Sequence, residues 1–348
     1  MTGPARPCLP MVLFALISAV PVGLIGAGLV WGGLWLWAGF LYMAVLALVL
    51  DRLVPLVAGN RPEGAEFPAA DLLLVTLGVA HLGLLPLATW AVAGGSGLYA
   101  GQRVLAFLAA GLWFGQVAHP AAHELIHRSG RGLFRLGAAI YVSLLFGQHV
   151  SAHRLVHHRH VGSAADPNSA RAGEGFYRFA LRAWAGSFAE GWRAETRLRS
   201  GVWRHPYGIF LGGGMLALML GWGIAGWAGV LAWLGLALHA QAQLLLSDYV
   251  QHYGLSRAFL ADGRLEPVGP QHSWNGGQWF SSALMLNAPR HSDHHVHPAR
   301  PFPALQLAAD APHLPWPLPL ACAVALVPPV WRRAMRGPVA QWRHMTGA

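Results

Sequence analysis

Six long runs of apolar residues alternate with polar segments along the chain. They lie at roughly 9–29, 31–50, 72–94, 103–123, 207–227 and 229–249. A helix needs about 20 predominantly apolar residues to cross the hydrocarbon core of a bilayer, so each run predicts a transmembrane helix. A single residue separates the first two runs and the last two, and each pair predicts a helical hairpin. The pattern indicates an all-α integral membrane protein with six transmembrane helices, built as a single domain over residues 1–348.

Arginine is unevenly distributed among the segments that join these runs. Residues 124–206 contain twelve arginines and residues 250–348 contain eight, whereas the turn at 95–103 contains only Arg103. Because positive residues are enriched in cytoplasmic loops, both arginine-rich segments are predicted on the cytoplasmic side. With six spans, the N-terminus and the 51–71 loop fall on the same side. Residues 124–206 and 250–348 are therefore predicted to form a cytoplasmic cap.

Composition agrees with a membrane protein. Hydrophobic residues make up 55% of the chain and charged residues only 11%, the mean hydropathy is +0.41, and there are sixteen tryptophans. In this setting the formal charge of +10 is no signal for nucleic-acid binding. The two cysteines, Cys8 and Cys322, are too few for a disulfide framework or a thiolate metal site.

Nine of the nineteen histidines fall in four clusters. The clusters are HELIH with His123 and His127, HRLVHH with His153, His157 and His158, DYVQHYGL with His252, and HSDHH with His291, His294 and His295. A spacing of four residues places two side chains on one face of a helix. All four clusters lie on the predicted cytoplasmic side, although hydropathy and arginine alone determined that topology.

Metal binding is the chemistry that this pattern favours. Imidazole is the commonest neutral metal ligand in proteins, and nine imidazoles can supply two metal ions with four or five ligands each. A site without thiolates but with open coordination positions suits iron and oxygen chemistry better than a closed structural zinc site. A His-rich tract can also be a solvated loop, but four clusters at ligand spacing on one side argue against that alternative.

Several residues near the clusters have alternative interpretations. HELIH is also a zinc-protease signature with Glu124 as general base, and Asp248 is available as a further zinc ligand, but seven histidines then have no use. We expect instead that Glu124, Asp248 and Asp293 hydrogen-bond to ligand imidazoles and orient them. His119 and His149 lie one turn before ligand candidates and are expected to act similarly. Asp166 precedes Pro167 and is interpreted mainly as a turn or cap residue.

Taken together, these motifs resemble those of the membrane-bound alkane 1-monooxygenases, within the fatty acid desaturase and hydroxylase superfamily. The resemblance covers residues from about 70 to 345. It depends on HELIHR at 123–128, HRLVHHRHVGSAADPNSAR at 153–171, HYGL at 252–255, RHSDHHVHPARPF at 290–302, and DAPHLPWPLP and PPVWRRAM near the end. The three-box histidine pattern is typical of the superfamily, whereas HYGL and RHSDHH are more specific to the hydroxylase branch, which includes xylene monooxygenase.

The resemblance implies a cofactor, a reaction and a location. It implies two non-haem iron ions held by the nine histidines, O2 as co-substrate, and hydroxylation of alkanes at a terminal carbon. It also implies the bacterial inner membrane, with the active site on the cytoplasmic side. Aromatic-methyl oxidation and fatty acyl desaturation or hydroxylation are the alternatives, because the superfamily uses one metal arrangement for all three. A metal-binding or lipid-binding scaffold without catalysis is the alternative from a different class.

Electrons must come from another protein. The chain has no four-cysteine set for a rubredoxin or iron–sulfur centre, and GLIGAG at 23–28 lies in a predicted span with the wrong spacing for a dinucleotide fingerprint. The resemblance implies rubredoxin with its reductase, or a ferredoxin-type reductase as in the xylene branch. Such donors are generally acidic, so the arginine-rich cap is expected to attract one. The arginines can also serve only topology and anionic lipid headgroups.

Two positions depart from the family pattern. Family members usually have glutamate immediately before the first histidine of the second box and before the HYGL histidine, whereas this chain has Ala152 and Gln251. Neither change removes an imidazole. The departures therefore affect the surroundings of the ligands and not the predicted ligand set.

Overall fold

The computed structural model describes residues 8–199, 201 and 204–346, and in this part of the chain it is built from helices, with only isolated β-bridges. Four long helices come first: α1 (Met11–Trp31), α2 (Gly33–Leu53), α3 (Pro68–Ala93) and α4 (Ala100–Ile126). They are followed by α5 (Arg131–Ser143), α6 (149–160), α7 (Phe176–Leu198) and α8 (Tyr207–His252). The C-terminal region adds α9 (Trp279–Leu284), α10 (His291–Val296), α11 (Leu318–Ala325) and α12 (Pro328–Thr346). Residues 200, 202, 203, 347 and 348 of the predicted cap lie outside the described residues, as do residues 1–7.

Among the described residues, five helices are long and apolar enough to cross a membrane. Helices α1 to α4 cover the first four predicted spans. The fifth, α8, covers both of the last two predicted spans in one element of 46 residues. The count of five therefore differs from the predicted six because the single element α8 contains both of the last two predicted spans.

The turn inside α8 lies at Ala225 and Gly226, whose backbone angles are not helical. In a continuous helix, residues eight apart are separated by about 12 Å along the axis. In this structure a Cβ added to Gly221 would lie only 3.1 Å from the carbonyl oxygen of Gly229, and the rings of Trp222 and Trp227 are 4.9 Å apart. The two arms of α8, residues 207–224 and 227–252, therefore fold back against each other as a hairpin.

The connection between α1 and α2 is another tight turn built on glycine. Gly32 and Gly33 have φ angles of 67° and 58°, a region that residues with a Cβ rarely adopt. After this turn α1 and α2 pack closely against each other. A Cβ on Gly28 of α1 would lie 2.8 Å from the backbone nitrogen of Leu36 of α2. The first two spans thus form the hairpin that their one-residue separation predicts.

Helix α4 is locally widened before it reaches the first histidine cluster. Residues Phe114–Ala118 form a π-helical segment, and Pro120 follows two residues later. Proline has no N–H to bond to the carbonyl four residues earlier, which is that of Gln116. π segments of this kind are frequent at functional sites. The widened turn sets the direction of the last two turns of α4, which carry His123 and lead directly to His127.

Large apolar side chains cover the outer surface of the long helices. Leu34, Ile209 and Trp227 are 85%, 73% and 69% exposed. Water does not favour such a surface, whereas lipid acyl chains do. Buried charged groups at the ends of these helices instead have partners. Both carboxylate oxygens of Asp51 accept hydrogen bonds from the backbone of Phe280 and Ser281, which ties the end of α2 to the start of α9.

We predict that Gly229→Ala destabilises the protein, whereas Gly223→Ala does not. A Cβ on Gly229 would overlap the Gly221 carbonyl, but one on Gly223 meets no atom within 4 Å. Overpacking of this kind costs about 1–3 kcal/mol, so the midpoint of thermal unfolding in detergent should fall for the Gly229 variant alone. Equal midpoints for the two variants would contradict the hairpin geometry.

Candidate metal centre

All nine predicted histidines meet at one end of the helical bundle. They come from the end of α4 (His123, His127), from α6 (His153, His157, His158), from the end of α8 (His252) and from α10 (His291, His294, His295). Their ring nitrogens form two groups, and within each group the nitrogens lie within 4.8 Å of one another. The five-histidine group contains His123, His127, His153, His158 and His294, and the four-histidine group contains His157, His252, His291 and His295.

The Nε2 atoms of the five-histidine group point toward a common centre. His153 Nε2 lies 2.7 Å from His123 Nε2 and 2.9 Å from His158 Nε2. His158 Nε2 is also 3.1 Å from His294 Nε2. The buried Nε2 of His127 has no hydrogen-bond partner in the described part of the chain.

The four-histidine group has a similar arrangement. His291 Nε2 lies 3.0 Å from His252 Nε2 and 3.1 Å from His295 Nε2. The Nε2 of His157 is buried and lacks a hydrogen-bond partner among the described residues. Each group thus contains a buried Nε2 atom that the described residues leave without a hydrogen-bond partner.

Hydrogen bonds alone do not account for this convergence. An imidazole nitrogen carries either one proton or one lone pair in the ring plane, so it serves one partner, whereas the Nε2 atoms of His153, His158 and His291 each face two. Metal–imidazole bonds of about 2.1 Å place neighbouring ligand nitrogens about 3 Å apart when they subtend a right angle. The observed separations match that spacing, and the residues present therefore fit two metal ions.

A π-helical segment, His153–His157, distributes the histidines of α6 between the groups. In a π turn, residues five apart lie on one face, and His153 and His158 accordingly join the five-histidine group. His157 joins the other group. Residues four apart share one group for His123 and His127 but not for His153 and His157, although the rings of His153 and His157 are still only 5.3 Å apart.

Burial keeps most of these imidazoles neutral. Burial, together with the neighbouring imidazoles and arginines, lowers the pKa of His127 to about 2. Burial, reinforced by repulsion between the rings, also lowers the pKa well below the usual value for His153, His158, His291, His294 and His295. Neutral imidazole is the form that binds metal.

Asp166 orients one of the candidate ligands. Its interpretation as a turn residue did not include this role. Its Oδ2 accepts a hydrogen bond from His157 Nδ1 at 2.8 Å and one from Ser169 Oγ at 2.7 Å. Burial lowers the pKa of His157, but the charge and hydrogen bond of Asp166 outweigh it and raise that pKa above the usual value. The pKa of Asp166 is correspondingly lowered. A carboxylate behind an imidazole fixes the ring orientation and leaves Nε2 for the metal.

Asp248 lies close to the same ligand but acts through a different partner. Its Oδ2 accepts a hydrogen bond from Asn168 Nδ2 at 2.7 Å, and its charge favours the protonated form of His157. Asp248 therefore contributes by charge and through Asn168, and not by the predicted direct hydrogen bond to an imidazole.

The other two predicted carboxylates have different roles. Glu124 Oε2 accepts a hydrogen bond from the backbone N–H of Phe302 at 3.0 Å and lies 3.4 Å from Arg128. Asp293 accepts hydrogen bonds from Arg300 and from the backbone of Gln306. Neither carboxylate has a hydrogen bond to one of the nine histidines, and Asp293 instead contacts His297, with 2.9 Å between Oδ1 and Nδ1. Both instead fasten the 300–306 segment beside the histidines.

His119 and His149 extend the polar wall next to the five-histidine group. The ring of His149 stacks on that of His153 with centroids 5.0 Å apart, and Tyr141 contacts both His149 and His119. No partner is described for either nitrogen of His119 or for the buried hydroxyl of Tyr141. No motif in the sequence marks Tyr141, which lies in an apolar stretch.

The two positions that depart from the family pattern are both buried beside the site. Gln251 donates from Nε2 to the carbonyl of Ala288 at 3.1 Å and accepts from Ser247 at 2.8 Å. The backbone of Ala152 packs closely against Gly191 of α7, since a Cβ on Gly191 would lie 3.2 Å from the Ala152 nitrogen. These neutral residues reduce the number of carboxylates around the ligands.

A cavity of about 310 Å³ reaches the histidines from the side of the helical bundle. Its wall includes His123 and His153 of the five-histidine group and His291 of the four-histidine group. Apolar residues of α4, α8 and α11, such as Leu112 and Leu244, form most of the remaining wall. This volume lies within the usual range of ligand pockets, about 300–1,000 Å³. An apolar molecule in the cavity would therefore lie directly against both groups.

Comparison with known proteins agrees with this architecture. Residues 101–317 match the fatty acid desaturase family model, which covers the four histidine clusters. Alkane 1-monooxygenase 1 of Pseudomonas aeruginosa is 33% identical over 86% of this chain and 82% of its own length. Alkane 1-monooxygenase 2 of Alcanivorax borkumensis is 28% identical with the same coverage. The xylene/toluene monooxygenase hydroxylase component of Pseudomonas putida is 27% identical over 87% of this chain and 82% of its own length. The chain is thus an integral membrane protein that belongs to the alkane 1-monooxygenase family, within the fatty acid desaturase superfamily.

Proposed function

We propose that this monooxygenase holds two iron ions and hydroxylates the terminal carbon of medium-chain alkanes. The observation that carries the proposal is the meeting of the apolar cavity with both histidine groups at His123, His153 and His291. Overall, one C–H bond and O2, with two electrons and two protons, give one alcohol and one water. Relatives named as alkane 1-monooxygenases support this choice of substrate.

The donor set favours iron over a structural metal. Every candidate ligand is an imidazole, and groups of five and four leave coordination positions for O2. A structural zinc site is normally closed by four ligands and often uses thiolates. Two iron ions in these groups would supply O2 activation and oxidation of an unactivated C–H bond. The nine histidines would hold them, with Asp166 orienting His157.

The cavity would bind and position the hydrocarbon. Its apolar wall offers burial of the chain, and burial of each CH₂ contributes about 0.8 kcal/mol. Exclusion of water from the same space protects the reacting centre from side reactions. His123, His153 and His291 form the part of the wall that faces the reacting carbon.

We also propose six membrane crossings, with the arms of α8 as the fifth and sixth. Residues 124–206 and 250–348 would then form a cap on the cytoplasmic face of the bacterial inner membrane, and the whole chain would act as one catalytic domain. The arginine distribution supports this orientation. The histidine groups lie at the ends of α4 and α8, where these helices enter the cap.

A separate electron-transfer protein would provide the electrons. With two cysteines in the chain, no iron–sulfur centre can be built within it. Rubredoxin with its reductase is our first choice, and a ferredoxin-type reductase is the alternative.

Oxidation of aromatic methyl groups is the second candidate activity. Its support is the similarity to the xylene/toluene monooxygenase component over 87% of this chain. Fatty acyl desaturation or hydroxylation is a third, suggested by the superfamily alone. The nine histidines serve these reactions equally, so the products must decide among them.

The test combines metal content with product analysis. The protein, purified in detergent, is assayed for iron and zinc, then supplied with rubredoxin, its reductase, NADH and octane in air. About two irons per chain and formation of 1-octanol are expected. Two irons with products only from p-xylene or from a fatty acyl substrate would replace the alkane proposal with the second or third candidate. One zinc and no iron would overturn the iron assignment.

We predict that Ala242→Phe shortens the usable cavity. Ala242 lines the cavity on α8, and a phenyl ring there would fill part of its volume of about 310 Å³. Turnover of octane should fall about tenfold or more, a loss of about 1.4 kcal/mol in transition-state stabilisation, while hexane is affected less. Product analysis with both alkanes checks this.

Leu231→Phe is the matched control, because Leu231 is on α8 but 65% exposed on its outer face. The Leu231 variant should leave the turnover of octane and of hexane unchanged. An unaltered ratio of octane to hexane turnover in the Ala242 variant would contradict the assignment of the cavity.

We predict that Asp166→Asn weakens iron binding. The amide carries no charge and can present its NH₂ group to His157, so the ring loses its fixed orientation. Loss of such a partner typically costs 10–100-fold in metal affinity. Iron retained after dialysis against a graded series of chelator concentrations measures the effect. Asp262→Asn is the control, since Asp262 is exposed and pairs only with Arg264 in the described chain; equal iron retention in both variants would argue against the role of Asp166.

A further inference from the structure

A second cavity, of about 330 Å³, lies in the cap and shares no lining residue with the first. Its wall comes from the 162–172 loop, the 254–259 segment after α8, and Arg182 and Arg343 on α7 and α12. The lining contains four arginines, Arg171, Arg182, Arg257 and Arg343, and one carboxylate, Asp166.

The carboxylates in and beside this cavity already have partners. Asp166 is bonded to His157, Glu174 pairs with Arg182, and Glu266 pairs with His272. In contrast, Arg171 and Arg257 have no carboxylate within ion-pair distance among the described residues, and Arg257 instead donates to backbone carbonyls. The cavity therefore carries a net positive charge that attracts an anionic partner.

The floor of the cavity is in contact with the candidate metal centre. Asp166 lines the cavity and accepts the hydrogen bond from His157 Nδ1 at 2.8 Å, and the other nitrogen of His157 belongs to the four-histidine group. Gly254, also in the wall, follows His252 of the same group by two residues. Only one side chain and one hydrogen bond thus separate the cavity from a candidate ligand.

The rim of the cavity is apolar and exposed. Phe259 lines the cavity and is 75% exposed, and the adjacent Leu260 is 44% exposed. Aromatic residues and arginine are enriched where proteins bind one another. A free phosphate or a lipid headgroup would satisfy the charge but would have no use for the exposed aromatic edge or for the contact with His157.

We propose that this cavity and its rim, the arginine pocket, are the docking and electron-entry site of an acidic one-electron carrier protein. The inference rests on the proposed function and deepens it by locating the partner. Acidic side chains of the carrier would pair with Arg171 and Arg257, while its apolar surface packs on Phe259. One electron then passes from the reduced carrier to ferric iron, giving ferrous iron and oxidised carrier, with no bond made or broken. The route runs through Asp166 and His157.

The test measures electron transfer without any hydrocarbon. Iron-loaded full-length protein is mixed anaerobically with increasing concentrations of reduced rubredoxin, and oxidation of rubredoxin is followed by its visible absorption. Arg171→Glu combined with Arg257→Gln should lower the second-order rate constant about tenfold or more and flatten its dependence on salt. Reduction of the iron by dithionite, which needs no docking, should stay unchanged.

Arg193→Glu is the matched control. Arg193 is an exposed arginine of α7 in the same cap, but it lies outside the pocket and pairs with Glu190. This variant should keep the wild-type rate constant. If the combined variant loses iron or dithionite reduction, the single change Arg171→Gln, on an exposed side chain, gives the same test with a smaller effect in the same direction.

Two outcomes overturn the proposal. A wild-type rate constant in the Arg171 variants would show that the carrier docks elsewhere, even if inorganic phosphate or anionic vesicles bind the pocket. An equal loss in Arg193→Glu would show general attraction by the cap and no defined site. Because the assay contains no alkane, failure to form 1-octanol leaves this result unaffected, and a negative docking result leaves the alkane proposal standing.

Discussion

The rest of the structure is arranged around buried imidazole nitrogens that the fold brings within about 3 Å of one another. At that distance the nitrogens repel one another unless a cation lies between them. Nine rings from four segments are held in two groups, and three of the Nε2 atoms each face two others. Such contacts are unfavourable unless cations lie between them, because one ring nitrogen has a single in-plane site. Burial also keeps most of the rings neutral. The helical bundle and its hairpins therefore assemble an arrangement that metal ions between the rings would stabilise.

The surroundings of the two groups differ on their two sides. Toward the bundle, an apolar cavity touches His123, His153 and His291. Toward the cap, the arginine pocket touches Asp166, which holds His157. In our proposal, an uncharged molecule and a charged protein therefore meet the same centre from separate directions. Such a division would let a hydrocarbon remain in a dry space while electrons arrive from the aqueous face.

Hydropathy predicted the long helices and histidine spacing predicted which rings would meet, because both signals are strong and local. The metal-ligand role of these rings stays a prediction. The turn in α8 was also predicted, and it lies at Ala225 and Gly226, whose backbone angles are not helical. The features that could not be predicted from the sequence depend on how the helix turns and loops are placed in three dimensions. The π segment at His153–His157 places His157 and His153 in different histidine groups, and no simple periodicity in the sequence predicts a π segment. Asp166 has the local signature of a turn and becomes a partner of His157 only after the loop folds back. Asp293 and Glu124 have partners near residue 302 instead of the expected imidazoles.

The C-terminal helix is fastened to the chain next to a candidate ligand. Arg343 donates two hydrogen bonds to the carbonyl of Gly254, and Trp342 donates to the carbonyl of Gln271. These contacts join the end of α12 to the segment that follows His252, across about a quarter of the sequence. During synthesis, His123 and His153 leave the ribosome long before His295 and Arg343. The two histidine groups therefore cannot be complete until the segment with His295 has been translated, and the proposed metal loading would be a late step in the biogenesis of the protein.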